Sequence, residues 1–295
     1  MTVLHETSIL AIDGGGTRCR IALTTKGEPL VVRAGSVNVS TDFSAATAEL
    51  VRALKEVAKR SGVPIEALAH VPAYIGLAGV TGPDIAERLA VALPLLHSRI
   101  EDDRPSALRG ALGNKDGIVA HCGTGSFAAA RINGETRLAG GWGPVLGDEA
   151  SAQWVGRHAL SRTLDTVDGF LARSGLSRSL LEKFGGAPAI VAFAGAASPA
   201  ELGALAVEVT RNAAKGDEIA CGILQDAADY IAATSRNLGW TSGLPICLTG
   251  GIGPHYKGYL PEEMRAAVTP AFGEPLTGAV ALAEEFRKEI AHERR

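Results

Sequence analysis

The chain has 295 residues, 46% of them hydrophobic, and can therefore bury a large core in one large or two mid-sized domains. Its net charge of −3 and its lack of long Lys or Arg runs argue against nucleic acid as a partner. No apolar stretch reaches the ~18 residues of a membrane span and no basic signal region opens the chain, so we expect no membrane partner and a cytoplasmic protein. The 4 cysteines are widely spaced, which predicts reduced, largely buried thiols rather than a metal site.

The first part of the chain alternates strands and helices. Three apolar strands form a predicted antiparallel meander, because Lys26-Gly27-Glu28-Pro29 makes a tight turn between the second and the third. Thr41 or Asp42 is the predicted N-cap of the helix that follows. The predicted elements are strands over 8–12, 19–25 and 30–35, a helix over 42–59, a strand over 71–77, a helix over 83–92, a strand over 97–100 and a helix from Arg104-Pro105.

The same pattern then restarts. A second meander is predicted over 117–122, 126–132 and 135–139, with a hairpin turn at Asn133-Gly134. A long helical region over 148–237 follows, interrupted at Gly169, Gly185-Gly186 and Ser198-Pro199, and then a strand over 245–249 and a helix over 277–290. The repetition predicts two lobes, residues 1–105 and 106–295, and the last helix is the element that could return to the first lobe.

Four glycine-rich turns follow predicted strands, and the first has the composition of a phosphate site. Its glycines open backbone conformations closed to other residues, Asp13 can hold a cation through water, and Thr17 can donate a hydrogen bond. The alternative is a simple β-turn with Asp13 as a turn former. The turns are Asp13-Gly-Gly-Gly-Thr17, Gly123-Thr-Gly-Ser126, Gly140-Gly-Trp-Gly143 and Gly250-Gly-Ile-Gly253.

Two common nucleotide-binding classes are excluded by these turns. Gly123-Thr-Gly-Ser-Phe-Ala128 fits the dinucleotide fingerprint, but a strand and a hairpin follow it where that fold needs a helix. The Gly-x-x-x-x-Gly-Lys-Ser/Thr loop is absent from the sequence. What remains is a phosphate site between two hairpins, one in each lobe.

The motifs resemble those of the actin, sugar-kinase and heat-shock-chaperone ATPase superfamily. Within it, the chain is similar to the N-acetylglucosamine kinase branch related to the BadF/BadG ATPases, over nearly its whole length. The resemblance rests on Ile12-Asp-Gly-Gly-Gly-Thr-Arg18, on Gly123-Thr-Gly-Ser126 and on Gly140-Gly-Trp-Gly-Pro-Val-Leu-Gly-Asp-Glu-Ala-Ser-Ala152. Pro144-Val-Leu and Ala150, where the family has glycine, depart from its pattern. The implied fold is α/β, with two ribonuclease-H-like lobes, mixed five-stranded sheets flanked by helices, and an interlobe cleft.

The resemblance also implies roles for individual residues. Asp103 is the expected base beside the sugar 6-hydroxyl and also a sugar contact, and Asp13 is expected to hold Mg²⁺ through water. The ATP phosphates and adenosine are assigned to Gly15, Gly16, Thr17, Thr124, Gly250 and Gly251. The sugar is assigned to Asn38, Gly141, Trp142, Asp148 and Ala152.

Each of these assignments has a structural alternative. Asp103 is also a good helix N-cap, and Asp102 is the competing base. Asn38 could be an ordinary loop residue, Asp148 the N-cap of a helix over 149–160, and Trp142 core packing. Arg18 is either near phosphate or an exposed hairpin residue.

The resulting prediction is an ATP-dependent kinase acting on the 6-hydroxyl of N-acetylglucosamine or glucosamine, with Mg²⁺ as cofactor and a homodimeric assembly usual for the family. The alternatives are a kinase for another hexose and an ATPase that activates a partner enzyme. Such activators hold a cluster with cysteines, and the scattered cysteines here argue against that reading. A sugar-responsive repressor would need a helix-turn-helix before the first strand, where only about eight residues stand.

Overall fold

The computed structural model describes residues 4–16 and 18–293. The secondary structure follows the predicted order closely, and the long helical region is six separate helices. The strands are β1 (Ile9–Gly14), β2 (Cys19–Thr24), β3 (Leu30–Ala34), β4 (Ala73–Leu77), β5 (Ser98–Glu101), β6 (Gly117–Cys122), β7 (Ser126–Ile132), β8 (Glu135–Gly140) and β9 (Ile246–Thr249). The helices are α1 (Phe43–Ser61), α2 (Ile65–Leu68), α3 (Pro83–Ala92), α4 (Arg104–Leu112), α5 (Gly143–Leu146), α6 (Ala152–Val167), α7 (Gly175–Phe184), α8 (Ala187–Ala196), α9 (Pro199–Ala204), α10 (Ala206–Ala213), α11 (Glu218–Asn237), α12 (Glu262–Ala266) and α13 (Pro275–Glu293), with a 3₁₀ helix at Gly253–Tyr259.

The chain forms two compact units, and the second is inserted into the first. The first unit comprises the chain up to Asn114 together with the segment from Phe272 onward, and the second is Lys115–Ala271. The predicted boundary at 105/106 falls inside α4, whereas the units divide after that helix and again before α13. The predicted interlobe cleft stays a prediction.

The first unit contains a mixed five-stranded sheet in the order β3-β2-β1-β4-β5. β1 pairs antiparallel with β2 and parallel with β4, so the carboxyl ends of β1, β4 and β5 lie at one edge. On one face, a core that includes α1 covers the sheet, and Asp42 caps this helix by accepting a hydrogen bond from the Ala45 amide at 2.9 Å. The predicted meander and one of the two predicted N-caps are thus confirmed.

α13 covers the other face of this sheet. Its Ala279 and Ala283 pack in one apolar cluster with Ile9, Ala11 and Tyr74 of β1 and β4. The close approach of α13 to α4 requires glycine, because a Cβ on Gly278 would lie 1.9 Å from the Ser106 carbonyl oxygen. The last helix is therefore part of the first unit.

The second unit contains a four-stranded sheet in the order β8-β7-β6-β9. The expectation of five strands in both sheets is wrong here. Where a fifth strand would pair with β9, there is one parallel bridge between Ile246 and Val268. Few residues are available for a strand, because α12 ends at Ala266 and Phe272 already hydrogen-bonds to Ala111 in the first unit. The α/β class with two mixed sheets flanked by helices is confirmed.

Within the described residues, no helix is both long and apolar enough to cross a bilayer. Three of the cysteine side chains, at positions 19, 122 and 247, are buried and Cys221 is partly buried, all as free thiols. This agrees with the expectation of largely buried cysteine side chains.

Candidate active site

The glycine turn after β1 is open on the side away from the sheet. A Cβ on Gly14 would lie 2.5 Å from both Leu77 and Val37, so packing explains that glycine. No such explanation holds for the next two, since a Cβ on Gly15 would come no closer than 3.9 Å to its nearest neighbour and one on Gly16 would meet nothing within 4 Å. The absence of side chains at these two positions leaves a cradle that a phosphate group fits.

These glycines were expected to adopt backbone conformations closed to other residues, and the backbone angles correct that expectation. None of the three lies in the left-handed region, so no unusual backbone conformation requires them. The Gly15 amide donates to the Arg18 carbonyl at 3.0 Å inside the turn, and its own carbonyl accepts from the Val37 amide at 3.1 Å. Gly15 therefore contributes open surface rather than a free amide. Thr17 lies outside the described residues, and Arg18 is exposed.

Asp13 precedes this turn and is mostly buried. Burial raises the pKa of its carboxyl group, and the guanidinium of Arg20 opposes that shift. Arg20 contacts only the Oδ2 oxygen of Asp13, at 2.7 Å from Nη2 and 3.2 Å from Nε. Oxygen ligands from one or two carboxylates, completed by waters and substrate phosphates, suit Mg²⁺. Asp13 therefore fits the predicted role, and in the described part of the chain no cluster of three potential metal ligands would form an all-protein site.

Asp102 and Asp103 follow β5 at the same edge of the sheet, about 10 Å from β1 at two strand spacings. Asp102 forms an ion pair with Arg104, whose Nε lies 2.5 Å from Oδ1, and it also accepts the Arg104 amide at 2.9 Å. Asp103 occupies the N-cap position of α4 but its side chain caps no amide. The structural alternative for Asp103 is therefore wrong, because its backbone is helical, with φ −75° and ψ −14°, rather than extended as in a capping residue.

The charge state of Asp103 follows from this arrangement. Burial is the main cause that raises its pKa to about 7, and the charges of Asp102 and Asp13 add to the shift, while Arg104 opposes it. No ion pair among residues 4–16 and 18–293 involves Asp103. A carboxyl group that titrates near neutrality suits a general base, because it can accept a proton and still release it.

Asn38 lies near the same edge, in the loop between β3 and α1. Its Oδ1 accepts from the Ser40 amide at 3.0 Å and from the Ser40 hydroxyl at 2.7 Å. Gly79, with φ +88°, passes so close that a Cβ there would lie 2.6 Å from the same oxygen. These contacts fix the orientation of the side-chain amide, so its NH₂ group points away from the loop backbone. The first unit thus brings together Asp13, the open turn, Asn38 and Asp103.

In the second unit, several predicted residues cluster around the turn between β6 and β7. The Ala152 amide donates to the Gly123 carbonyl at 2.8 Å, and the Gly141 amide donates to the Ser126 carbonyl at 3.0 Å. Gly250 must be glycine, since it has φ +80° and a Cβ would lie 2.2 Å from the Cys122 carbonyl oxygen. The residues assigned to ATP and those assigned to sugar are therefore neighbours here. Thr124 is half-buried within the turn, and Gly251 is exposed.

The segment from Asp148 to Ala150 is strained and tightly held. Asp148 and Ala150 have φ +62° and +65°, which are unusual for residues with a side chain. The Ser126 hydroxyl donates to the Glu149 carbonyl at 2.5 Å, and the Tyr256 hydroxyl donates to the Ala150 carbonyl at 2.6 Å. These bonds tie the segment to the turn after β6 and to the 3₁₀ helix.

Asp148 is 7% exposed, and its carboxylate accepts the backbone amides of Ser126 and Gly143. Burial raises its pKa, and the two amides oppose the shift. The predicted helix over 149–160 begins later, at Ala152, and Ser151 caps it by accepting the Trp154 amide at 3.2 Å. The N-cap alternative for Asp148 is therefore wrong.

Trp142 is 68% exposed and begins a single helical turn. The alternative of core packing is wrong for this side chain. Val145 and Leu146 are 87% and 83% exposed, three and four residues further on, so the three share one face of the turn. An exposed apolar face of this kind offers a wall for the C–H face of a sugar.

Sequence reasoning overlooked Arg20 and concentrated on Arg18. The hairpin register places Arg20 directly opposite Asp13, and this cross-strand charge pair was the available signal. It also overlooked Gly79, whose side-chain-free backbone makes room for Asn38. No local pattern marked Gly79, because its partner lies in a distant loop.

Comparisons with known proteins identify a family and several similar chains. A family model described as the BadF/BadG/BcrA/BcrD ATPase family matches residues 10–282. The glucosamine kinase of Vibrio cholerae serotype O1 is 23% identical over 278 residues, which cover 93% of this chain and 95% of that protein. The N-acetyl-D-glucosamine kinase of Dictyostelium discoideum is 28% identical over 274 residues, covering 82% of this chain and 84% of that protein. The solved structure of a candidate N-acetylglucosamine kinase from Chromobacterium violaceum is similar with a TM-score of 0.81 at 32% identity, over 94% of this chain and 99% of that one.

Proposed function

The chain belongs to the BadF/BadG/BcrA/BcrD ATPase family, and from this premise we propose that it phosphorylates the 6-hydroxyl of N-acetylglucosamine or glucosamine with ATP. The observation that carries the proposal is Asp103, a carboxyl group with a pKa of about 7 at the same sheet edge as an open glycine turn. The kinase names of the relatives support an amino sugar as the acceptor.

In the proposed reaction, Asp103 accepts the proton of the 6-hydroxyl while that oxygen attacks the γ-phosphorus. The bond between the γ-phosphorus and the bridging oxygen breaks, and ADP is the leaving group. Gly15 and Gly16 make room for the phosphates in the first unit, and Thr17 is assigned to the same phosphates. Mg²⁺, when bound through water to Asp13, neutralises charge on the phosphate oxygens.

The remaining assignments concern Asn38 of the first unit and residues of the second unit, in the proposed arrangement of two ribonuclease-H-like lobes. Thr124 is assigned to the phosphates, and Gly250 and Gly251 to the adenosine. The sugar is assigned to Asn38, Gly141, Trp142, Asp148 and Ala152. Because the Asp148 carboxylate already accepts two amides, we assign it a single further bond, to a sugar hydroxyl.

An ADP-release assay with a panel of hexosamines and hexoses tests the proposal. We expect release that depends on N-acetylglucosamine or glucosamine, with a 6-phosphate identified by mass spectrometry. An Asp103→Asn variant is the control, because it should lose the sugar-dependent rate and keep nucleotide binding. ATP hydrolysis that no sugar stimulates would contradict the proposal and favour an ATPase acting on a partner enzyme.

A further inference from the structure

Arg20 contacts two carboxylates near the glycine turn, and the proposed reaction gives neither contact a role. Nε and Nη2 both point at the Oδ2 oxygen of Asp13, at 3.2 and 2.7 Å. Nη1 donates to the Glu274 carboxylate. We propose that Arg20 is the positioning residue of the metal–phosphate site, fixing one oxygen of Asp13 so that the other is aimed at the hydrated Mg²⁺. This inference rests on the proposed function, which assigns Mg²⁺ to Asp13.

Two features restrain the ion pair between Arg20 and Asp13: the low exposure of both side chains and the number of contacts between them. The side chains of Arg20 and Asp13 are only 13% and 15% exposed, so solvent screens the pair weakly. Two guanidinium nitrogens converge on Oδ2 and fix the position of that oxygen more closely than the single ammonium group of lysine can. The Oδ1 oxygen of Asp13 stays outside the ion pair with Arg20.

Glu274 gives the guanidinium a second anchor from another part of the chain. It lies directly before Pro275, where α13 begins. The backbone at this point is fixed by α4, because a Cβ on Gly110 would lie 2.3 Å from the Glu274 carbonyl oxygen. The guanidinium of Arg20, on β2, is therefore anchored both by Asp13 and by the residue before α13, and these two anchors restrain its orientation.

Arg109 offers a matched control in the same unit. Its side chain is 15% exposed and its Nη2 lies 2.7 Å from Glu285 of α13, so it too ties α13 to the first unit. It makes no ion pair with Asp13 in the part of the chain that the structure describes. Arg109→Lys therefore weakens the docking of α13 without touching the residues assigned to the metal.

The experiment measures binding of a non-hydrolysable ATP analogue by calorimetry, with and without Mg²⁺ and without sugar. We expect Arg20→Lys to bind the metal-free nucleotide as the wild type does. The Mg²⁺ concentration that gives half of the metal-dependent gain in nucleotide affinity should rise roughly 10- to 100-fold, the usual effect of losing a hydrogen-bond partner of a metal ligand. Glu274→Gln keeps the Asp13 pair, and we expect a smaller rise in the same direction. Arg109→Lys should match the wild type.

Three outcomes would overturn the inference. They are an unchanged Mg²⁺ requirement in both Arg20→Lys and Glu274→Gln, an equal change in Arg109→Lys, and nucleotide binding by the wild type that ignores Mg²⁺. If Arg20→Lys does not fold, as judged by its melting curve, Glu274→Gln decides alone. Because sugar is absent, a protein that phosphorylates no sugar can still show the Arg20 effect, and the two proposals fail separately.

Discussion

The end of β5 and the segment 148–150 each contain a buried carboxylate assigned to the sugar, and the two differ in the groups that surround them. Asp148 accepts two backbone amides and thereby holds the strained loop in place. Asp103 caps no amide, and burial together with neighbouring negative charges disfavours its ionised form. Burial raises the pKa of both carboxyl groups, but two amides oppose the shift at Asp148, whereas neighbouring negative charges add to it at Asp103, which is therefore the better candidate for chemistry.

The largest expected effect is on turnover in Asp103→Asn. The amide cannot accept the hydroxyl proton, so we expect sugar-dependent ADP release to fall by roughly 10²-fold or more. Burial raises the pKa of Asp103 from 3.8 in the unfolded chain to about 7 in the folded protein. The ionised carboxylate therefore begins to lower the stability of the fold as the pH rises above 3.8, and its full cost is reached above pH about 7. The variant should therefore melt at a higher temperature than wild type at alkaline pH, with the gain shrinking as the pH falls toward 3.8. Near-normal turnover would shift the assignment to Asp102 or Asp148.

The pH dependence of the wild type gives the next effect. Because a general base must be ionised, kcat/KM should fall about tenfold for each pH unit below the Asp103 pKa of about 7 and level off above it. Asp102→Asn removes the charge that adds most to the shift after burial, so its profile should extend to lower pH. Rates measured across the acidic range in both proteins test this, and a flat profile would contradict the assigned base.

Substitutions of two adjacent glycines separate packing from ligand binding. Gly15→Val adds a branched side chain to an open surface, so we expect ATP affinity to fall by on the order of tenfold with little change in melting temperature. Gly14→Ala places a methyl group against Leu77 and Val37 and should cost about 1 to 3 kcal/mol of unfolding free energy. Calorimetry and denaturant titration distinguish the two. A folded Gly15→Val protein with normal ATP affinity would show that the turn is only structural.

Asp148→Asn should show the reverse of the Asp103 result. Asparagine has one acceptor oxygen, and its NH₂ group would face an amide that also donates, so we expect a loss of about 1 to 3 kcal/mol in unfolding free energy. The KM for sugar should rise as well if the loop positions the acceptor. Chemical denaturation is the decisive measurement, since a variant as stable as the wild type would remove the contrast between the two carboxylates.

The smallest effect is expected in Ala150→Gly. Ala150 has φ +65°, a conformation that glycine adopts without strain, although glycine also gains freedom in the unfolded chain. We expect a stabilisation of less than about 1 kcal/mol with unchanged kinetics. A lower melting temperature would indicate that the buried methyl group contributes more through packing than the backbone loses through strain.

The sequence predicted the order of the elements well because strands and helices here keep regular apolar periods between strong turn residues. The assignment of Asp13, Asn38 and Asp103 to the site stays a prediction. The sequence could not predict that the Asp103 side chain leaves α4 uncapped, since that depends on the backbone angles of one residue. It also missed the start of α6, because the left-handed backbone of Asp148 and Ala150, on either side of Glu149, has no local sequence signal in residues other than glycine. The missing fifth strand of the second sheet depended on where the chain returns to the first unit.

The insertion of one unit into the other has a consequence for how the protein is made. Lys115–Ala271 is continuous and buries its core among its own residues, so it can fold as soon as it has left the ribosome. The first unit cannot, because the face formed by Ile9, Ala11 and Tyr74 stays uncovered until α13 has been synthesised. The half of the chain that emerges first is therefore the half that is completed last, and its exposed sheet is the surface that a chaperone would have to protect.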